Sequence, residues 1–186
     1  MTMAPMIIVV MGVAGSGKTT VGTKLAAALH CAFFEGDSLH SQANVEKMRH
    51  GIPLTDADRE PWLTAIHRRL CDALTAGQSL VVACSALKRS YRAKLGEGLP
   101  VTWVYLKGSA DLIRSRLRHR VHHFMKANLL ASQFDDLEEP SGAIIVDIAQ
   151  PPDAIVQQVL TGISHPTTAA ASTSPQPRGD ACKPSQ

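Results

Sequence analysis

"MIIVVMGVAGSGKTT", residues 6–20, is an unbroken apolar run that passes directly into a glycine-rich loop ending in lysine and threonine. A continuous apolar stretch such as 6–11 is what a strand buried on both faces of a parallel sheet requires. The next segment, "GVAGSGKT" at 12–19, fits G-x-x-x-x-G-K-[ST]. Gly12, Gly15 and Gly17 let the backbone bend so that successive N–H groups point inward. Those groups form an anion nest at the start of a helix predicted from about Lys18 to Leu29. Lys18 then reaches the β- and γ-phosphates of a nucleotide, and the Thr19 hydroxyl ligates Mg²⁺. The predicted nucleotide-binding set is Gly12, Val13, Ala14, Gly15, Ser16, Gly17, Lys18, Thr19 and Thr20.

Beyond the loop, strand and helix patterns alternate. Short apolar runs at 32–34, from 79, at 101–108 and at 143–148 read as strands. The segments 55–76, 109–120 and 152–163 carry helical spacing. Thr55 is the expected N-cap of the first of these and Ser109 of the second. Together with 6–11 this predicts an α/β domain over 1–164, with a five-stranded parallel sheet, helices on both faces and ligands at the strand C-termini. From His165 the chain turns to proline, threonine and serine, and 165–186 is read as a disordered tail.

The bulk composition narrows the function. Apolar residues make up 45% of the 186, charged residues 19%, and the net charge is +3, too mild to argue for nucleic acid. The run "PMIIVVMGVAG" lacks a basic leader and enters the glycine loop, so it reads as a strand and not a secretion signal. No apolar run approaches the ~20 residues of a membrane helix. No cysteine pair has C-x-x-C spacing, which disfavours zinc and thioredoxin-like chemistry. Cys31, Cys71 and Cys84 read as buried thiols that suit a reduced cytoplasm. No N-K-x-D tetrapeptide is present to read guanine.

"FFEGDSLH", 33–40, places Glu35 and Asp37 at the end of the second strand. In a doubly wound sheet that end shares an edge with the phosphate loop. One carboxylate can hold Mg²⁺, directly or through water, and the other can accept a proton from an attacking hydroxyl. Alternatively, Asp37 caps the next segment.

Four blocks settle which chemistry to expect. "GDSLHSQANVEKMRHGIPLTDADREPWL" (36–63), "CSALKRSYR" (84–92), "YLKGSADLIRSRLRHR" (105–120) and "HFMKANLLASQFDDLEEP" (123–140) closely resemble the gluconokinases, in that family's order. Ser41 and His122 depart from it, standing where the family usually has Pro and Gly. The resemblance implies a P-loop NTPase fold shared with shikimate kinase, a helical lid over about 121–139, and commonly a homodimer. It also implies transfer of the ATP γ-phosphoryl group to the 6-hydroxyl of D-gluconate. By this analogy Asp37 orients or deprotonates the hydroxyl, Glu35 sits in the metal's outer shell, and His40 and Arg59 lie in the substrate cleft.

A sugar acid needs cations for its carboxylate. Arg59, Lys88 and Arg92 are the first candidates, with His40, Lys47 and Arg49 behind them. Arg116 and Arg120, four apart on one helix face, suit adenine stacking and the phosphates. The rival readings are a kinase for another hydroxy acid such as shikimate, or for a nucleotide, and a non-catalytic ATP-binding module. Shikimate kinases usually carry a glycine triplet ahead of a substrate arginine, which this chain lacks.

Overall fold

Every side chain of the first strand, β1 (Ile7–Met11), is buried. Alternate residues of a strand point to opposite faces, and β1 follows this rule. Ile8 and Val10 enter one apolar cluster, and Ile7, Val9 and Met11 enter another. A strand buried this way must be covered by helices on both sides, and it is. The computed structural model describes residues 4–118 and 127–165.

The helices α1 (Lys18–Ala28), α5 (Ala110–Arg118), α6 (Ala127–Asp136) and α7 (Pro152–Ser164) supply the first cluster through residues such as Leu25, Ile113, Leu130 and Val159. The second is built from α3 (Asp56–Thr75) and α4 (Arg89–Leu95), with Trp62, Ile66, Leu70, Tyr91 and Leu95. The remaining helix is α2 (Gln42–Arg49).

The strands β2 (Ala32–Glu35), β3 (Leu80–Ala83), β4 (Val101–Lys107) and β5 (Ile144–Asp147) complete the sheet, all parallel, in the order β2-β3-β1-β4-β5. The chain moves from β1 to one edge, returns to place β3 beside β1, then crosses to β4 on the other side. Ligands of such sheets bind where the winding reverses, beyond the C-terminal ends of the strands. The phosphate loop follows β1, at that point.

Helix ends follow local chemistry. Thr55 and Asp58 form a full capping box at α3, and the Ser109 hydroxyl accepts from the Leu112 N–H. Because α3 begins at Asp56, Pro61 lies inside it and leaves the Ala57 carbonyl without its intrahelical donor. Cys84 is a buried thiol and Cys31 a half-buried one, but Cys71, read as a thiol, is disulfide-bonded. Of the predicted lid, only 127–139 is described; Arg120 and the tail beyond His165 lie outside the described residues. Among the described residues no helix is long and apolar enough to cross a membrane.

Candidate active site

Three loops meet at the C-terminal edge of the sheet. The first is 12–17. Gly17, at the N-cap of α1, has φ 98° and ψ 19°, a left-handed geometry that glycine adopts without strain. It turns the first N–H groups of α1 toward the loop's interior, where the helix dipole favours an anion. Lys18 folds back over the loop and donates to the Val13 carbonyl at 3.1 Å.

The second loop follows β2. Gly36 is buried, and a Cβ there would come within 2.7 Å of the Ala83 carbonyl, so only glycine lets β2 turn so close to β3. Its carbonyl accepts the Trp62 indole N–H at 2.8 Å. Trp62 in turn stacks on His40, with ring centroids 4.3 Å apart and planes 14° from parallel. A tryptophan on α3 therefore fixes both the turn and the imidazole. Asp37 stands between them in a single 3₁₀ turn, Gly36–Leu39, and lines the same cleft as Lys18, His40 and Arg59. Burial pushes the His40 pKa down, against the pull of Asp37, and Arg59 adds to the depression. The ring is thus held neutral, and its Nδ1 is buried with no hydrogen-bond partner among the described residues.

Glu35 accepts a 2.6 Å hydrogen bond from the Thr19 hydroxyl. Burial raises its pKa, opposed chiefly by that hydrogen bond. The two side chains together offer hard oxygen donors beside the phosphate loop. Mg²⁺ suits such a set, because it keeps several waters and takes one or two carboxylates plus substrate phosphates.

The third loop follows β3 and carries Lys88, the N-cap residue of α4. Lys88 and Arg59 gather around Tyr91 and two carboxylates. Arg59 donates to the Tyr91 hydroxyl at 2.8 Å, and that hydroxyl donates to Asp56. Lys88 lies 2.9 Å from Asp56 and 3.5 Å from Asp136; Arg59 lies 3.3 Å from Asp136. Hydrogen bonds from Lys88, then Tyr91, hold the Asp56 carboxyl below its usual range.

The cleft between these loops holds about 80 Å³, space for roughly two or three waters. Leu129, Ser132 and Gln133 of α6 close its far side. Gln133 also accepts the Ala14 N–H at 2.7 Å, so this helix touches the phosphate loop directly. A second hollow of about 340 Å³ lies on the other side of the loop, lined by Gly15, Gly17, Thr20, Arg116, Gln150 and Pro152. Arg116 is held there by its hydrogen bond to the Ile148 carbonyl. The phosphate loop thus lies between the two hollows.

Of the candidate cations, Lys47, Arg49 and Arg92 do not line the cleft that holds Asp37 and Arg59. Arg49, at the end of α2, is half exposed and pairs with Glu46 at 3.1 Å. Arg92 donates to the Ala86 and Leu87 carbonyls at 2.9 and 2.7 Å. The i, i+4 spacing from Lys88 puts the two on one face only if both are helical, whereas Lys88 has ψ 150°. Arg92 instead supports the bend at Ala86, whose φ is 44°. Lys47 is bound to Asp58 at 2.7 Å. Asp56, Tyr91, Gln133 and Asp136 were not singled out from the sequence. They lie inside the quoted blocks, but only the packing of α3, α4 and α6 brings them together.

A family model described as "AAA domain" matches residues 7–140. The gluconokinase of Gluconobacter oxydans (strain 621H) is 48% identical over 164 residues, covering 86% of this chain and 92% of that one. The thermoresistant gluconokinase of Escherichia coli (strain K12) is 43% identical over 159 residues, covering 83% and 91%. The crystal structure of a gluconokinase from Sinorhizobium meliloti 1021 superposes with a TM-score of 0.79 at 48% identity, covering 88% of this chain and 94% of that one.

Proposed function

This chain belongs to the gluconokinase family, and we propose that it transfers the γ-phosphoryl group of ATP to the 6-hydroxyl of D-gluconate, giving 6-phospho-D-gluconate and ADP. The observation that carries the reading is a single cleft lined by Lys18, Asp37 and Arg59. It sets a phosphate-binding lysine, a carboxylate to accept the hydroxyl's proton and a cation for the sugar acid's carboxylate side by side.

Phosphoryl transfer leaves the protein little covalent work, so positioning and charge neutralisation carry most of the catalysis. The backbone N–H groups of 12–20 and Lys18 hold the phosphates. Arg116 serves the nucleotide, and the i, i+4 spacing in the sequence assigns Arg120 to the phosphates. Asp37 orients the 6-hydroxyl and takes its proton as the bond to phosphorus forms. Arg59 and Lys88 take the carboxylate, and the neutral His40 ring offers its free nitrogen to a hydroxyl. Mg²⁺, held by Thr19 and through water by Glu35, would neutralise charge on the β- and γ-oxygens. The family resemblance also supports a cytoplasmic homodimer, with the kinase contained in 1–164.

The test is ADP release from ATP and Mg²⁺ with gluconate, shikimate or nucleoside monophosphates as acceptor, in one coupled assay. Gluconate alone should raise the rate well above the acceptor-free background. A larger response to shikimate or a nucleotide, or none to any acceptor, sinks the reading. A chain ending at residue 164 should keep the activity.

A further inference from the structure

Arg59 and Lys88 are bridged by a carboxylate of the protein's own. Asp136, the last residue of α6, places Oδ2 3.3 Å from Arg59 Nη1 and Oδ1 3.5 Å from Lys88 Nζ. One carboxylate with an oxygen on each of two cations is the arrangement an incoming sugar acid would make there. The cluster is already neutral, with two cations facing Asp56 and Asp136. A third carboxylate entering it would meet repulsion unless one of the two withdraws.

The two are not equally well held. Asp56 lies in the first turn of α3, where the helix dipole favours a negative charge. It also receives hydrogen bonds from both Lys88 and Tyr91. Asp136 sits at the opposite kind of helix end, where the same dipole disfavours it. Its contact with Lys88, at 3.5 Å, is longer than the 2.9 Å of Asp56, although it stands nearer to Arg59, at 3.3 Å against 3.8 Å. The helix that bears it also closes the cleft, leaving about 80 Å³, too little for a six-carbon acid. Asp136 is therefore the carboxylate that gives way.

We propose that Asp136 stands in for the acceptor's carboxylate, and that its displacement from Arg59 and Lys88 sets the preference for acidic over neutral polyol acceptors. The inference rests on the assignment of those two cations to the acceptor. A sugar acid exchanges one carboxylate for another and keeps both cations paired. A neutral polyol has no charge to offer, so it leaves the Asp136 pairs in place and finds the cleft narrow. Discrimination comes from an internal competitor as well as from attraction.

Asp136→Asn in the full chain tests this, because it keeps the side-chain size and removes the charge. The KM and the calorimetric dissociation constant for gluconate should both fall, by roughly three- to tenfold, the scale of two part-exposed ion pairs. The inhibition constant of D-glucitol, a neutral analogue, should change less than twofold. Asp136→Glu, which restores the charge, should return gluconate affinity toward wild type. Unchanged or weaker gluconate affinity in Asp136→Asn would overturn the proposal, as would an equal gain for glucitol, which would indicate mere loosening of α6. Wild-type protein that neither binds nor phosphorylates gluconate would instead overturn the proposed function, and this inference with it.

Discussion

Lys18 and Glu35 illustrate opposite relations between function and stability. Under the proposed function Lys18 sits where charge develops on the transferred group, and removing such a donor typically costs about 100- to 1000-fold in rate. Lys18→Ala should lose at least that in kcat with unchanged far-ultraviolet circular dichroism; near-normal turnover would exclude the phosphate-cradle assignment. Glu35 is strained by its surroundings, since burial raises its pKa above the ordinary 4.5. The folded state therefore holds the proton more tightly than the unfolded chain. That contribution to stability is present below pH 4.5 and is lost as pH rises through the raised folded value. At neutral pH the ionised carboxylate is a net burden on the apo fold. Glu35→Gln should keep or raise Tm at pH 7 while lowering Mg²⁺-dependent turnover, the trade-off common at functional groups. A clear fall in Tm at pH 7 would contradict this account.

Helix ends matter as much as single side chains. The capping box of α3 fixes where Arg59 and Trp62 begin their turn toward the cleft. Its acid, Asp58, has its pKa lowered from 3.8 to about 2, first by the hydrogen bond from Lys47 and then by Thr55. A depressed carboxyl stabilises the fold above the unfolded value and loses that effect as pH falls through the folded one. Asp58→Asn should thus be less stable than wild type at pH 6, and the difference should close between pH 4 and about 2. A gap independent of pH would assign the effect to packing. Arg92 belongs to α4 in the same sense. It satisfies two carbonyls at the strained turn after β3, and leaving such acceptors unmatched costs about 1–3 kcal/mol. Arg92→Ala should lower stability by that order in denaturant unfolding and leave the gluconate KM within about twofold. A large rise in KM with normal stability would return Arg92 to the substrate.

Across the molecule, one sheet edge carries everything. The loops after β1, β2 and β3 meet there, and α6 lies across them with Gln133 on the phosphate loop and Asp136 on Arg59 and Lys88. Ligands that bind only the folded chain add RT ln(1 + [L]/Kd) to its stability. MgATP at a hundred times its Kd should therefore raise the unfolding free energy by about 2.7 kcal/mol, and Lys18→Ala should abolish most of that gain. A nucleotide-independent unfolding curve would contradict binding at this edge.

The order of the five strands, the helices at 18–29, 55–76, 109–120 and 152–163, the phosphate loop and the carboxylates at the end of β2 were legible in the chain, because each rests on local chemistry. Buried strands need unbroken apolar runs, anion nests need glycine, and caps need Thr55 or Ser109 in place. The polar helix α2 was not legible. Among its residues only Asn44 is buried, so it carries no apolar stripe, and it is held by its Ser41 cap and by the Asn44 hydrogen bond to the Asp58 carbonyl. Nor was the pairing of Asp136 with Arg59 and Lys88, or the diversion of Arg92 from the cleft. Those depend on how α3, α4 and α6 cross in space and on where each helix begins. A charge in the sequence announces that it needs a partner; only the packed fold decides which one it finds.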